Sequence, residues 1–300
     1  MPKVYWPGVG VDGQGWEESP VFMLSIKRLA FILAVLCGVT QAPTAKAAEK
    51  TLTFGIVPQQ AASKLAATWG PLLAEISQKS GVKLEFRTAP DIPTFEDRVG
   101  RGEYDIAYMN PYHYTVFSEK TGYRAFAKEE DRNIEGIIVV SADSPIKSVD
   151  ELNGATLAFP SPAAFAASVL PRAALRQKGV NFTPKYVSSH DSVYLSVADH
   201  FYPAGGGIVR TLEQTAPKTR DALRILWRTK QYTPHAIAAL ASVPQGTLQR
   251  VLTAMEQLGS DEAGRSLLAA VGFKGIVAAS DEEWDDVRQL GITTLDSKGE

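Results

Sequence analysis

The chain has 300 residues, a formal net charge of −2 at pH 7 and one cysteine. Its charges are nearly balanced and no basic block occurs, which argues against nucleic-acid binding. The one thiol, Cys37, lies close to the N-terminus. The rest of the chain therefore offers no disulfide, no thiolate metal site and no cysteine nucleophile.

Residues 23–48 have the pattern of a secretory signal peptide. Lys27 and Arg28 precede an apolar run, and Ala45-Lys46-Ala47 is a small-residue cleavage site. The apolar run is shorter than the roughly 20 residues of a membrane-spanning helix. We therefore predict export to the periplasm and cleavage near Ala48.

The residue before Cys37 is Leu36, where a lipoprotein signal needs a small side chain, so we expect no lipoprotein. Residues 1–22 combine acidic, aromatic and glycine residues that suit neither a signal peptide nor a folded element. We interpret them as a non-native or mis-assigned extension.

From Thr51 onward, β-rich apolar runs alternate with amphipathic stretches, which predicts an α/β fold with a mostly parallel sheet. In chain order we predict a strand at 52–57, a helix at 62–80, strands at 83–88 and 105–109, a helix at 110–121, strands at 123–128, 135–141 and 156–159, a helix at 162–178, a strand at 185–188, a helix at 191–199, a strand at 204–205, a helix from 207, strands at 223–229 and 237–241, and helices at 245–258, 261–270 and 281–290.

The turn signal Asp143-Ser144-Pro145 marks a point at which the chain could pass into a second lobe. We therefore predict that lobe 1 comprises residues 49–141 and 237–300, and that lobe 2 comprises residues 142–236.

Several predicted helices begin directly after a predicted strand. Their first residues are Asn110-Pro111, Ser161-Pro162, Ser189-His190-Asp191 and Gly205-Gly206-Gly207. Ligands of open α/β sheets bind beyond the carboxyl ends of the strands, where helix N-termini present unpaired N–H groups. The recurrence predicts an oxyanion site. A single Ser or Asn at such a position is more often an ordinary helix cap, and the glycine run is equally a tight turn.

The histidines outside the signal are His113, His190, His200 and His235. They lack helical metal-ligand spacing with a carboxylate helper, so we expect no metal and no other cofactor. His190 and His235 suit hydrogen bonding to a ligand, although core or surface positions without a task remain open. Neither a nucleophile elbow nor a phosphate-binding lysine loop occurs, which argues against an enzyme.

Four segments in this order resemble the periplasmic binding proteins of phosphonate, phosphite and phosphate ABC transporters. They are residues 52–58, residues 104–111, residues 148–154 and Ser189-His190-Asp191. The resemblance implies a type II periplasmic binding protein fold, in which two α/β lobes joined by a hinge close over a small anion or polar solute. It implies a monomer whose partner is an ABC permease, with a membrane sensor protein as the alternative. A periplasmic enzyme or metal carrier that reuses the fold is the other alternative.

The sequence departs from this family at two places. The hydroxyl-rich run that holds phosphonate oxygens in the family corresponds here to residues 163–167, Ala-Ala-Phe-Ala-Ala, which keep only backbone N–H groups. The acidic residue that meets a ligand amine corresponds to Tyr202-Pro203-Ala204, so we do not expect aminoethylphosphonate as the ligand. Arg210 could supply a positive charge, or lie on an exposed helix face. Phe165 could face the pocket, or turn into the core.

The predicted cleft-facing side chains come from strand ends and first helical turns. The candidate ligand-binding residues are Gln59, Tyr108, Asn110, Ser161, Ser189, His190, Gly206, Arg210 and His235.

Overall fold

The computed structural model describes residues 51–292, together with the single positions 3, 5 and 8. The predicted signal peptide at 23–48 lies outside the described residues. Within them, no helix is both long enough and apolar enough to cross a membrane.

Most of the elements begin close to where the sequence predicts them. In chain order they are β1 (Leu52–Ile56), α1 (Ala62–Ser80), β2 (Leu84–Arg87), α2 (Ile92–Gly100), β3 (Ile106–Met109), α3 (Pro111–Lys120), β4 (Arg124–Glu129), β5 (Gly136–Ser141), β6 (Thr156–Phe159), α4 (Leu170–Gln177), β7 (Thr183–Tyr186), α5 (His190–Ala198), β8 (Gly205–Ile208), α6 (Val209–Glu213), α7 (Pro217–Asp221), β9 (Leu223–Arg228), β10 (Ala236–Ala239), α8 (Gln245–Glu256), α9 (Glu262–Val271), β11 (Ile276–Ala278) and α10 (Asp285–Arg288).

The strands form two sheets, which confirms the predicted two-lobed α/β fold. Lobe 1 contains a six-stranded sheet in the order β11-β4-β10-β3-β1-β2, and lobe 2 a five-stranded sheet in the order β7-β6-β8-β5-β9. The chain passes between them at 130–135 and again at 229–235. These two segments form the hinge and lie side by side, because Ile134 and Tyr232 exchange backbone hydrogen bonds of 2.8 and 2.9 Å.

The first crossing lies one strand earlier than the sequence analysis placed it. β5 pairs with β8 and β9, so it belongs to lobe 2, and the predicted boundary after Ser141 is wrong. A fully buried strand such as β5 carries no pattern that identifies its sheet. The turn at Asp143-Ser144-Pro145 lies within lobe 2.

The glycine run also differs from its prediction. Gly205, Gly206 and Gly207 form most of strand β8 and do not open a helix. A Cβ on Gly206 would lie 2.0 Å from the carbonyl oxygen of Ala167, and a Cβ on Gly207 would lie 2.3 Å from the hydroxyl of Tyr194. The glycines are therefore required for close packing of neighbouring segments against the strand.

Two elements, α2 and β11, were not predicted, and one predicted helix begins irregularly. The helix expected at 162–178 starts as one π-helical turn at Phe165–Val169 before α4 continues it. Such turns occur frequently at functional sites. This turn packs against Gly206 of β8, and it can approach so closely because glycine has no Cβ.

We expect Gly206→Ala to lower the free energy of unfolding by about 1–3 kcal/mol, because the new methyl group meets backbone that cannot rotate away. Gly246→Ala in α8 is the matched control, since a Cβ there has no neighbour within 4 Å. That change should be neutral or stabilise by up to about 1 kcal/mol. Urea unfolding of both variants measures the difference, and equal stabilities would contradict the packing role of Gly206.

Candidate functional site

The candidate site lies where strand ends of lobe 1 meet strand ends of lobe 2. The amide N–H of His190 donates to the carbonyl oxygen of Gln59 across this junction at 3.0 Å. Asn110 Nδ2 donates to the carbonyl oxygen of Ala163 at 3.2 Å. The segment 163–167 and Ile208 share one buried apolar cluster with side chains of lobe 1. The lobes are therefore closed directly upon each other.

Arg210 lies buried at this junction, with 8% of its surface exposed. Its Nη1 donates to Glu129 Oε2 at 2.9 Å and its Nη2 to Gln59 Oε1 at 3.5 Å. The guanidinium also lies 5.8 Å from the ring centre of Tyr108 and 5.4 Å from that of Phe273. The sequence left open whether Arg210 lies at the site or on an exposed helix face, and the structure places it at the buried junction.

Glu129 is the carboxylate that balances this charge. Burial raises the pKa of its carboxyl above the usual range, although the charges of Arg210 and Arg132 oppose the shift. Its Oε1 lies 3.4 Å from Arg132 Nη1, so each carboxylate oxygen has its own arginine. The result is a buried charge cluster that joins β4 of lobe 1 to α6 of lobe 2 and includes a hinge residue.

His190 and His235 are neutral hydrogen-bonding groups. Burial, and secondarily the charge of Arg210, lower the pKa of His190 to about 3, and the same causes lower the pKa of His235. Gln59 Oε1 accepts from Arg210, so Gln59 Nε2 is the donor to His235 Nε2 at 3.1 Å. His235 then carries its proton on Nδ1, which is buried without a partner among the described residues.

Little space remains between the helix N-termini themselves. A cavity of about 10 Å³ lies beside Phe165 and His190, and one of about 20 Å³ lies beside Trp69 and Tyr108. Each holds one water at most. Phe165 fills the junction, with 1% of its surface exposed and its ring packed edge-on against Tyr232 at 5.6 Å.

A larger pocket of about 560 Å³ opens on the hinge side of the junction. Its lining includes Arg210, His235 and Glu129. Residues of the two hinge segments form its outer wall. The remaining lining residues are Lys128, Asp131, Arg132, Asn133, Ile134, Glu135, Ile208, Val209, Arg228, Gln231 and Pro234.

The structure brings most of the sequence-predicted residues together and leaves three apart. The gathered ones line these cavities: Gln59, Tyr108, Asn110, His190, Arg210 and His235. Ser161 is buried, and its hydroxyl lacks a partner among the described residues. Ser189 accepts from the amide of Ser192 as the cap of α5. Gly206 pairs with Ile138 inside the sheet of lobe 2.

Tyr202-Pro203-Ala204, where the family resemblance places the acidic residue, precedes β8 and therefore lies at its amino end, whereas ligands bind beyond carboxyl ends. The residues that follow β8 are Val209 and Arg210, and Arg210 contacts Glu129.

Glu129 is the buried charged residue of this junction that sequence reasoning missed. It lies in the charged run 128–132, which is typical of a solvated turn, and only its contact with the distant Arg210 reveals burial. A charge at the carboxyl end of a strand was the available signal. Within residues 51–292, no three His, Cys, Asp or Glu side chains are grouped closely enough to hold a metal ion.

We expect the free energy of unfolding to fall as the pH drops below 6.5, the ordinary pKa of histidine. His190 in the unfolded chain binds a proton in that range, whereas burial lowers the pKa of folded His190 to about 3. The free energy of unfolding is fully retained above that range and decreases by up to about 1.4 kcal/mol per pH unit within it. His190→Asn should flatten the slope by about one proton. Denaturant unfolding between pH 4 and 7 measures the slope, and an unchanged slope in His190→Asn would contradict this expectation.

Residues 54–284 match the family model described as "ABC transporter, phosphonate, periplasmic substrate-binding protein". The phosphate-import protein PhnD of Mycolicibacterium smegmatis is 22% identical over 89% of this chain and 94% of its own length. The phosphonates-binding periplasmic protein of Escherichia coli is 21% identical, over 81% of this chain and 77% of its own. PhnD1 of Prochlorococcus marinus, solved with methylphosphonate, shares the fold with a TM-score of 0.74 at 17% identity, over 81% of this chain and 97% of its own. The chain belongs to the family of periplasmic substrate-binding proteins of phosphonate ABC transporters.

Proposed function

We propose that this protein captures a small oxyanion of the phosphonate or phosphate kind between its lobes and delivers it to an ABC permease. The observation that carries the proposal is the buried guanidinium of Arg210 at the lobe junction, beside a pocket of about 560 Å³. Guanidinium groups recognise phosphate and phosphonate oxygens by paired hydrogen bonds, which are stronger than neutral ones.

His235 is a neutral side chain in the wall of the same pocket. Its Nδ1 is buried without a partner among the described residues, which costs free energy that a ligand oxygen reaching it would recover. Because His235 is uncharged, it can orient the ligand by a hydrogen bond without competing with Arg210 for the negative charge. The two side chains together suit an oxygen-rich anion.

The same environment disfavours an ammonium group. Three carboxylates line the pocket: Glu129 is paired with Arg210, Glu135 is paired with Arg228, and Asp131 is exposed in the hinge segment. An amine that approached Arg210 would therefore meet a cation and a carboxylate that is already paired. We infer that an alkylphosphonate or phosphate binds more tightly than aminoethylphosphonate.

Ligand capture then follows from hinge motion. Domain closure around a ligand occurs through a few residues between rigid bodies, and here those are the paired segments 130–135 and 229–235. A ligand that binds the closed form more tightly shifts the equilibrium between open and closed forms toward the closed one. The permease then binds that closed form. The protein acts as a monomer and turns nothing over.

Export supplies the compartment in which this transport takes place. We expect the secreted protein to begin at Ala48 or Glu49, because the signal pattern at 23–48 ends there. Intact-mass analysis of the periplasmic protein measures the start. Retention of Trp6 or Trp16 would contradict the assignment.

Calorimetry with phosphate, phosphite, methylphosphonate and aminoethylphosphonate tests the ligand class. We expect the first three to include the tightest ligand. Arg210→Gln should weaken its binding by about 10- to 100-fold, because a charge-assisted hydrogen bond contributes about 1.5–3 kcal/mol.

The matched control is Arg228→Gln, which removes an exposed arginine from the outer wall of the same pocket. It should change the affinity by less than about 3-fold, since an exposed ion pair contributes little. Thermal melting verifies that each variant is folded. Preferred binding of aminoethylphosphonate, or unchanged binding by Arg210→Gln, would contradict the proposed site.

A further inference from the structure

The ion pair of Glu129 and Arg210 connects the two lobes, which must move apart when the protein opens. Glu129 ends β4 of lobe 1 and is 2% exposed, whereas Arg210 lies in α6 of lobe 2 and is 8% exposed. Their 2.9 Å contact crosses the lobe junction. Two charges removed from water require each other, since either one left alone in that position would be costly.

The two partners are not equally dependent on this contact. Glu129 also has Arg132, whose Nη1 lies 3.4 Å from Oε1 and which belongs to the hinge. Arg210 pairs with no second carboxylate within residues 51–292 and otherwise meets the amide of Gln59 and two aromatic rings. Glu129 can therefore leave Arg210 and stay paired, while Arg210 needs a replacement anion.

The hinge-side pocket provides room for that replacement. Both Glu129 and Arg210 line it, together with His235. Its volume of about 560 Å³ falls within the range of small-molecule sites. A carboxylate and a phosphonate cannot share one guanidinium edge without bringing like charges into contact.

Building on the proposed function, we propose that Glu129 and the oxyanion of the ligand compete for Arg210, so that a bound oxyanion displaces Glu129 from the guanidinium. Glu129 is then a specificity-determining residue that acts by competition. It lowers the affinity for every anion, and only a ligand with stronger hydrogen bonds than a carboxylate overcomes it.

Calorimetry with methylphosphonate and with inorganic phosphate on wild type, Glu129→Gln and Glu135→Gln tests the exchange. Glu129→Gln keeps the side-chain size and removes the competing charge, so it should tighten anion binding by about 10-fold or more. Glu135→Gln removes one negative charge from the same pocket without touching Arg210, so any tightening that both variants share measures the general charge effect.

The outcomes separate this proposal from the one beneath it. If wild type binds an anion and Glu129→Gln binds it equally or more weakly, the exchange is refuted and the proposed function stands. Equal tightening by both variants also refutes the exchange, since it reveals only a general charge effect. If none of the three proteins binds either anion, both proposals fail together.

A second measurement on wild type does not depend on how the variant folds. In a crystal structure with methylphosphonate bound, the guanidinium of Arg210 should contact phosphonate oxygens, and Glu129 should remain beside Arg132 alone. Persistence of the contact between Arg210 and Glu129, with the anion bound at another place, would overturn the proposal.

Discussion

The positive charge of Arg210, held out of water between two lobes, is the constraint on which the site depends. A buried guanidinium requires hydrogen-bond acceptors and a counter-charge, and Glu129 supplies the charge. The rings of Tyr108 and Phe273 face the same cation. Burial lowers the pKa of His190 and His235, and the charge of Arg210 lowers both further, so the nearby histidines are neutral. The burial that makes the cation costly also keeps its histidine neighbours uncharged.

The backbone of lobe 2 determines how closely that cation approaches lobe 1. The glycines of β8 allow the turn at Phe165–Val169 and the ring of Tyr194 to pack directly on the strand. Phe165 then occupies the volume between the helix N-termini, in a stretch that lacks hydroxyl groups. Anion recognition consequently depends on the side chains at the hinge-side pocket, because the space beside the N-termini is already filled by protein.

Much of this fold was readable from the sequence, because its signals are local. The face of α1 that carries Leu65, Trp69 and Leu72 is buried as its periodicity predicts, and Asn110 caps α3 through the amide of His113. Strand β5 shows the limit, since its uniform apolar pattern fits either sheet. The glycine run shows it again, because glycine serves a turn and a crowded strand equally well.

The site was readable only in part, because its central contact joins residues far apart in the chain. Arg210 was a candidate with two possible positions, and the choice between them depended on Glu129 in another lobe. A charged residue reveals its burial only through its partner, and the partner of Glu129 lies 81 residues further along the chain. By contrast, Tyr108, Asn110 and His190 follow strands directly, so the rule for carboxyl ends was enough to find them.

Glu129 also lies immediately before the first hinge segment, which couples the charge cluster to the motion of the lobes. Asp131 in that segment has a left-handed backbone with φ of 50°, a conformation that is rare for residues other than glycine. Arg132, one residue further on, holds the other oxygen of Glu129 and the carbonyl oxygen of Gly272. Under the proposed exchange, the ligand displaces Glu129 from Arg210. A direct contact between the two lobes is then replaced by a contact that the ligand mediates. Closure then depends on ligand occupancy to the extent that the anion binds Arg210 better than Glu129 does, because a ligand shifts an equilibrium only by its differential affinity for the two states.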